Sequence, residues 1–455
     1  MAFGATRRPN VKAADDALLR ALQDSGAPLV TLVAKSHDRH VDLALKTHLD
    51  ENLAMIRDSI EFLRAGGQRV FLDAEHFFDG YRSNSAYALE VVRVAAEAGA
   101  DVIALCDTNG GMLPDELSNV VHEVLTKSSA RLGIHCHNDT GCAIANSLAA
   151  VAAGATRVQG TLNGYGERTG NADLVSIIAN LQLKKKQQVL PEGALEEAFR
   201  ISHAVAEVTN VSPSARQPYV GVSAFAHKAG LHASAIKVDP ALYQHEDPES
   251  VGNDMRMLVS EMAGRASIEL KSQELGIDLS KEKEVVTRVV ERVKSMEARG
   301  YTFEAADASF ELLLREELEG KKPRFFILDS WETTVDQSAD KSVTSRATVK
   351  IRAKGETIES EGSGNGPVNA IDKALRNGLE KLYPELKELE LTDYKVRILE
   401  GRLGTGAVTR VLVETSDGNG EWSTIGVHEN VIAASAMALE DALTYGLLRQ
   451  GKRPE

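Results

Sequence analysis

Two histidines one residue apart, His135 and His137, end a short apolar run and precede Asn138 and Asp139. On a strand, residues i and i+2 point to the same face, so both imidazoles can reach one cation at the strand end. Neutral imidazoles combined with oxygen ligands suit Mn, Zn or Mg, and the sequence does not choose among them. Two further stretches carry reactive groups: Asp73, Glu75, His76 and Asp79 after one apolar run, and Asp107 and Thr108 after another. Solvated loop charges explain the first as readily as a site does. The glycine-rich stretch from Asn163 to Asn171 fits a plain turn, or a cradle of exposed N–H groups at a helix start. It lacks the lysine of a P-loop and the spacing of a dinucleotide fingerprint. A later pair, His227 and His232, lies in a helical stretch, where a histidine is more often structural than catalytic.

The elements that would position these groups alternate along the first 183 residues. Apolar runs at 2–4, 28–33, 69–72, 101–106, 131–134 and 156–162 read as buried parallel strands. Between them lie amphipathic helices; one sets Leu53, Ile56, Ile60 and Leu63 on a single face and ends at Gly66-Gly67. Polar groups follow each strand: Arg7 and Arg8, Lys35, Asp73 and Glu75, Asp107 and Thr108, His135 and His137, Asn163. A (β/α)8 barrel gathers its catalytic groups at these C-terminal strand ends, and a doubly wound sheet places ligands there too. About six strands are visible, so the expectation is an incomplete (β/α)8 TIM barrel over residues 1–183.

Residues 184–323 read as a helical linker subdomain, with Val285, Val286, Val289, Val290 and Val293 forming a core-facing stripe. The Gly320-Lys321-Lys322-Pro323 segment marks a boundary. Residues 324–455 form an α+β module with a weak internal repeat. Stretches 347–375 and 410–443 each read strand, turn, strand, helix, the second with Asp417-Gly418-Asn419-Gly420 as its hairpin turn. Such a module suits regulation or dimerisation. The glycine-rich turns 362–366 and 401–406 are its candidate ligand contacts.

Composition narrows the partners. A net charge of -14 argues against diffuse binding to nucleic acid or anionic membranes. No apolar run reaches the roughly 20 residues that span a bilayer, and the N-terminus lacks a signal peptide. Three cysteines give no disulfide framework, which points to a reduced, cytoplasmic protein.

Taken in order, His135 to Asp139, Asn163 to Asn171 and Ala224 to His232 resemble the motifs of the isopropylmalate, homocitrate and citramalate synthases. The segments Asp73 to Tyr81 and Cys106 to Gly111 look more like the citramalate group. Val251-Gly252-Asn253 and Ser260 to Arg265 fit the same set. The resemblance covers nearly the whole chain. It implies a metal-assisted condensation of acetyl-CoA, as cosubstrate, with pyruvate to give citramalate, on the route to isoleucine. It makes His135, His137 and Asn171 metal ligands and sets Glu75 and Thr108 near the bound oxoacid. His232 matches a histidine thought to assist proton transfer. It further implies a homodimer and a C-terminal domain sensing a branched-chain amino acid. Two alternatives stay open: a 2-isopropylmalate synthase acting on 2-oxoisovalerate, or a non-catalytic amino-acid-binding remnant.

One departure shapes the expectation. The family's first strand carries an Asp-x-Thr-x-Arg-Asp-Gly segment whose arginine faces the oxyanion and whose aspartate binds the metal. No such segment occurs here. Met1 falls at what resembles the third strand, so the chain is expected to be N-terminally truncated, and inactive as it stands.

Overall fold

A computed structural model describes residues 1–259, 264–399 and 406–454. Residues 260–263 of the Ser260 to Arg265 motif and 401–405 of the second glycine-rich turn lie outside the described residues. The chain forms two compact units: residues 1–224 with 246–254, and residues 225–245 with 255–455.

The first unit is built on six parallel strands: β1 (Ala2–Ala5), β2 (Leu29–Lys35), β3 (Arg69–Glu75), β4 (Val102–Asp107), β5 (Leu132–Cys136) and β6 (Arg157–Gln159). They lie side by side in chain order. Alternation divides each strand between two faces. Val30, Leu32 and Ala34 of β2 and Val70, Leu72 and Ala74 of β3 join one apolar core with Ile56, Ile60 and Leu63 of the helix Leu49–Ala65. The residues between them, including Lys35, Asp73 and Glu75, project from the other face. All six strands differ at one or both ends from the apolar runs read in the sequence. β2 and β3 run on to Lys35 and Glu75, so Lys35, Asp73 and Glu75 are strand residues rather than loop residues.

The sheet is strongly curled. Gln159 on β6 donates to the Asp73 carboxylate on β3, and the Arg157 guanidinium lies 4.5 Å from the centre of the Phe71 ring. Both contacts pass over β4 and β5. Arg7, expected among the strand-end groups, instead pairs with Glu51 and Asp58 on the helix Leu49–Ala65 and anchors that helix.

The second unit opens with a two-residue parallel pair, β7 (Ala226–His227) and β8 (Arg256–Met257). The valine stripe behaves as its spacing predicts. Val285, Val286, Val289 and Val293 are buried against Phe303, Phe310 and Leu314, while Val290 packs beside them only partly buried. Beyond them lie two three-stranded antiparallel sheets, β11-β10-β9 and β12-β13-β14. Their strands are β9 (Ile327–Gln337), β10 (Val343–Ala353), β11 (Glu356–Gly364), β12 (Glu390–Ile398), β13 (Thr409–Ser416) and β14 (Glu421–His428). Each sheet is followed by a helix, Pro367–Leu379 or Val431–Arg449. Each half therefore has one more strand than the strand-turn-strand-helix pattern expected. The halves share a core through Val349, Ile351, Ala374, Val411, Val413 and Ala438. Helix Val431–Arg449 is apolar enough to span a membrane by composition, but it is the central helix of this core and two-thirds buried.

Within that module the two halves use glycine identically. A Cβ on Gly362 would lie 2.4 Å from the Ala370 carbonyl and 2.4 Å from the Ala374 amide. A Cβ on Gly426 would lie 1.9 Å from the Ala434 carbonyl. In both halves the helix backbone presses on the last strand at a position eight residues after the glycine, which only a residue without a side chain permits.

Candidate active site

β5 carries His135 near its end, with His137 immediately beyond it. The two rings share a face, as the i, i+2 spacing predicts, with centroids 5.1 Å apart. Cys136, between them, turns into the apolar core. Burial, and secondarily the neighbouring His137, push His135 down to about 4. His137 is lowered as well, by burial first and then by Arg168. Both rings are thus neutral at neutral pH, the form that binds metals.

Asn171 reaches the pair by an unexpected route. Rather than opening a helix, it forms an antiparallel bridge with His137, and the following helix begins only at Leu174. Its Nδ2 donates to the Tyr165 carbonyl at 3.0 Å, which turns Oδ1 the other way. Oδ1 of Asn171 and Nδ1 of both His135 and His137 are buried without a hydrogen-bond partner. Such orphaned atoms are rare and costly in native interiors. Three of them at one place, two imidazole nitrogens and an amide oxygen, fit a divalent cation. Among the described residues no group of three or more His, Cys, Asp or Glu side chains is placed to hold a metal. Asp107 does not supply the missing acid. It shares the core-facing side of β4 with Ile103 and Leu105, and its carboxylate accepts from the Gly111 and Met112 amides. Burial raises its pKa.

The glycine-rich loop is a support, not a cradle. The amides of Gly164, Gly170 and Asn171 all donate to carbonyls within the loop or at its root. A Cβ on Gly166 would lie 2.1 Å from Asn171 Nδ2, and one on Gly170 would lie 2.1 Å from the Gly164 carbonyl. The glycines make room for Asn171 and for the closed loop. Asn163 accepts from Ser202 and Gln217, tying the loop to neighbouring helix and loop.

On the same face, Lys35 pairs by register with Glu75, and their side chains form an ion pair. Cys106 pairs with His135, and His135 with Gln159, so this row of the sheet runs from Lys35 and Glu75 toward the histidines. Thr108 Oγ1 accepts from the His76 amide at 2.8 Å. Its carbonyl accepts from Arg168, which also holds the Asp139 carboxylate through two bonds. Arg168 thus ties the end of β4 to the segment after His137. In the sequence Arg168 is one residue of the Asn163 to Asn171 stretch and Gln159 one residue of the 156–162 run, and neither stands out as a site residue. No one-dimensional signal marks either, since their partners are 29 to 86 residues away. His232 belongs to the second unit. There it stacks on Tyr243 with centroids 4.0 Å apart and lies 6.0 Å from His227, on the short helix Gly230–Ile236.

Comparison with known proteins places three family descriptions along the chain: HMGL-like over residues 5–205, homocitrate synthase post-HMGL domain-like over 219–301, and LeuA allosteric (dimerisation) domain over 304–447. The (R)-citramalate synthase of Streptomyces coelicolor is 66% identical over 454 residues, 100% of this chain and 85% of that protein. The (R)-citramalate synthase of Aquifex aeolicus is 47% identical over 450 residues, 98% of this chain and 85% of that protein. The 2-isopropylmalate synthase of Methanocaldococcus jannaschii is 30% identical over 431 residues, 94% of this chain and 80% of that protein.

Proposed function

The chain belongs to the (R)-citramalate synthase family, and from that premise we propose how its residues serve the condensation of acetyl-CoA with pyruvate to citramalate and CoA. The observation that carries the site assignment is the trio of buried, unpartnered atoms on His135, His137 and Asn171. We assign these three side chains to a divalent metal, Mn, Zn or Mg. These residues would hold the metal, which when bound would supply Lewis acidity to polarise the oxoacid.

The remaining roles fall to the protein. Low basicity keeps both imidazoles free of protons, so protons do not compete for the ligand nitrogens near pH 7. Glu75 and Thr108 stand at neighbouring strand ends of the same sheet and are assigned to orient pyruvate. Thr108 is fixed from both sides, by the His76 amide and by Arg168. A thioester methyl proton is weakly acidic and needs a placed base. We assign His232 to that proton transfer, on the family motif alone. The enolate then attacks the ketone carbon, and hydrolysis of the thioester releases CoA.

The C-terminal module is assigned to dimerisation and to sensing a branched-chain amino acid, in keeping with its match to the LeuA domain. Three free cysteines fit a cytoplasmic location. The comparisons lend the expectation of an inactive chain no support. The test is CoA release from acetyl-CoA with pyruvate and, in parallel, with 2-oxoisovalerate, by the 455-residue chain and by a version extended upstream. Pyruvate should be the preferred oxoacid. Preference for 2-oxoisovalerate would move the chain to isopropylmalate synthesis, and amino-acid binding without turnover in both versions would leave the non-catalytic reading.

A further inference from the structure

We infer that Lys35 is a positioning residue that neutralises Glu75 so that an anionic oxoacid can lie beside it. The inference rests on the reading above, in which Glu75 borders the oxoacid. A bare glutamate there would repel the carboxylate of its own substrate, since like charges brought together in a partly desolvated site are strongly unfavourable.

The pair is built into the sheet. Lys35 and Glu75 are register partners at the ends of two adjacent parallel strands. Both project from the face opposite the apolar core, because Leu32, Ala34, Leu72 and Ala74 take the core face. Their side chains are only 24% and 26% exposed. The backbone at each is clamped. The Ser36 amide and hydroxyl both donate to the Glu75 carbonyl, at 3.1 and 2.6 Å. Asn52, fully buried, donates to the Lys35 carbonyl at 2.9 Å and to the Tyr87 hydroxyl at 2.7 Å. These bonds fix the backbone from which both side chains spring, and the partial burial of the pair reduces the solvent screening that makes ordinary surface ion pairs weak.

Among the described residues Lys35 is the one cationic side chain in an ion pair with Glu75. Two histidines lie close by, His40 and His76, with ring centroids 4.0 Å apart. Burial is the largest cause lowering the pKa of both; His37 and Lys35 lower His40 further, and His40 and Lys35 lower His76, against an opposing pull from Glu75 and Asp79. They are neutral near pH 7 and contribute no compensating charge.

The experiment is calorimetric titration of the Mn2+-loaded full chain with pyruvate, and separately with acetyl-CoA, for the unaltered protein, Lys35→Met, Lys35→Arg and the double variant Lys35→Met/Glu75→Gln. Lys35→Met should weaken pyruvate binding about tenfold or more, the scale of one modest uncompensated charge. Acetyl-CoA binding should change less than about twofold, and Lys35→Arg should restore most of the pyruvate affinity. The double variant should bind pyruvate more tightly than Lys35→Met, because the repelling charge is gone. A double variant as weak as Lys35→Met, or a Lys35→Met indistinguishable from the unaltered protein, would overturn the inference. If the unaltered chain itself fails to bind pyruvate, the proposed function falls and this inference with it; if it binds while Lys35→Met is silent, the inference falls alone.

Discussion

Gln159 Nε2 donates a 2.8 Å hydrogen bond to the Asp73 carboxylate, although β4 and β5 lie between the strands that carry them. A flat sheet would hold strands three places apart by roughly 14 Å, from a spacing of about 4.8 Å per strand. The bond therefore measures the curl that gathers side chains from β2 to β6 onto one concave face. Glu75, His135 and Gln159 can serve one site because of that curl.

The same pair predicts a dependence on pH. Burial raises the pKa of Asp73, with Gln159 and Arg157 offsetting part of the effect. A raised folded-state value means that the carboxyl contributes its full stability below the unfolded value of about 3.9 and loses it as pH rises through the folded value. We predict that Asp73→Asn, which can still accept from Gln159, melts higher than the unaltered chain at pH 7. The gap should close as pH falls toward 4. A melting difference that is the same at pH 7 and pH 4 would show that Asp73 carries no buried-charge penalty.

The ligand assignment predicts losses in metal affinity that are separable from folding. His137→Ala and Asn171→Ala should each weaken Mn2+ binding by at least about 100-fold, the upper range for residues that merely support metal ligands. Calorimetry with Mn2+ reads the affinity, and circular dichroism checks that the fold survives. Unchanged Mn2+ binding in both variants would remove these residues from the metal site.

Arg168 is assigned a supporting role, and its loss should be local. Arg168→Ala removes the bonds to the Thr108 carbonyl and the Asp139 carboxylate. Amide exchange in residues 163–171 should quicken while exchange in β2 to β4 stays slow. Quickening spread evenly through the sheet would mean that Arg168 supports the whole unit rather than the loop.

The repeated glycines make a paired prediction. Gly362→Ala and Gly426→Ala should each destabilise the second unit by about 1–3 kcal/mol or more, because the new methyl meets helix backbone that cannot swing aside. Urea denaturation followed at Trp331 and Trp422 would read the effect. If one substitution is neutral, the two halves do not pack alike and the repeat is superficial.

Much of this molecule is written in local pattern. The i, i+2 spacing puts His135 and His137 on one face wherever the strand goes, because side-chain direction in a strand is set by the backbone itself. The valine stripe of 285–293 and the helix Pro367–Leu379 are legible for the same reason: apolar period and a proline at the first turn are local signals. The outer strands β9 and β12 left no such trace. They are mostly exposed and lack the apolar run by which buried strands announce themselves. Tertiary structure alone decided the rest. That Asn171 meets His137 through a strand bridge, that Lys35 stands against Glu75, and that Gln159 reaches Asp73 all depend on register and curl. Those are fixed by pairings between segments far apart in the chain, where the identity of one residue says nothing about its partner until the sheet has closed around both.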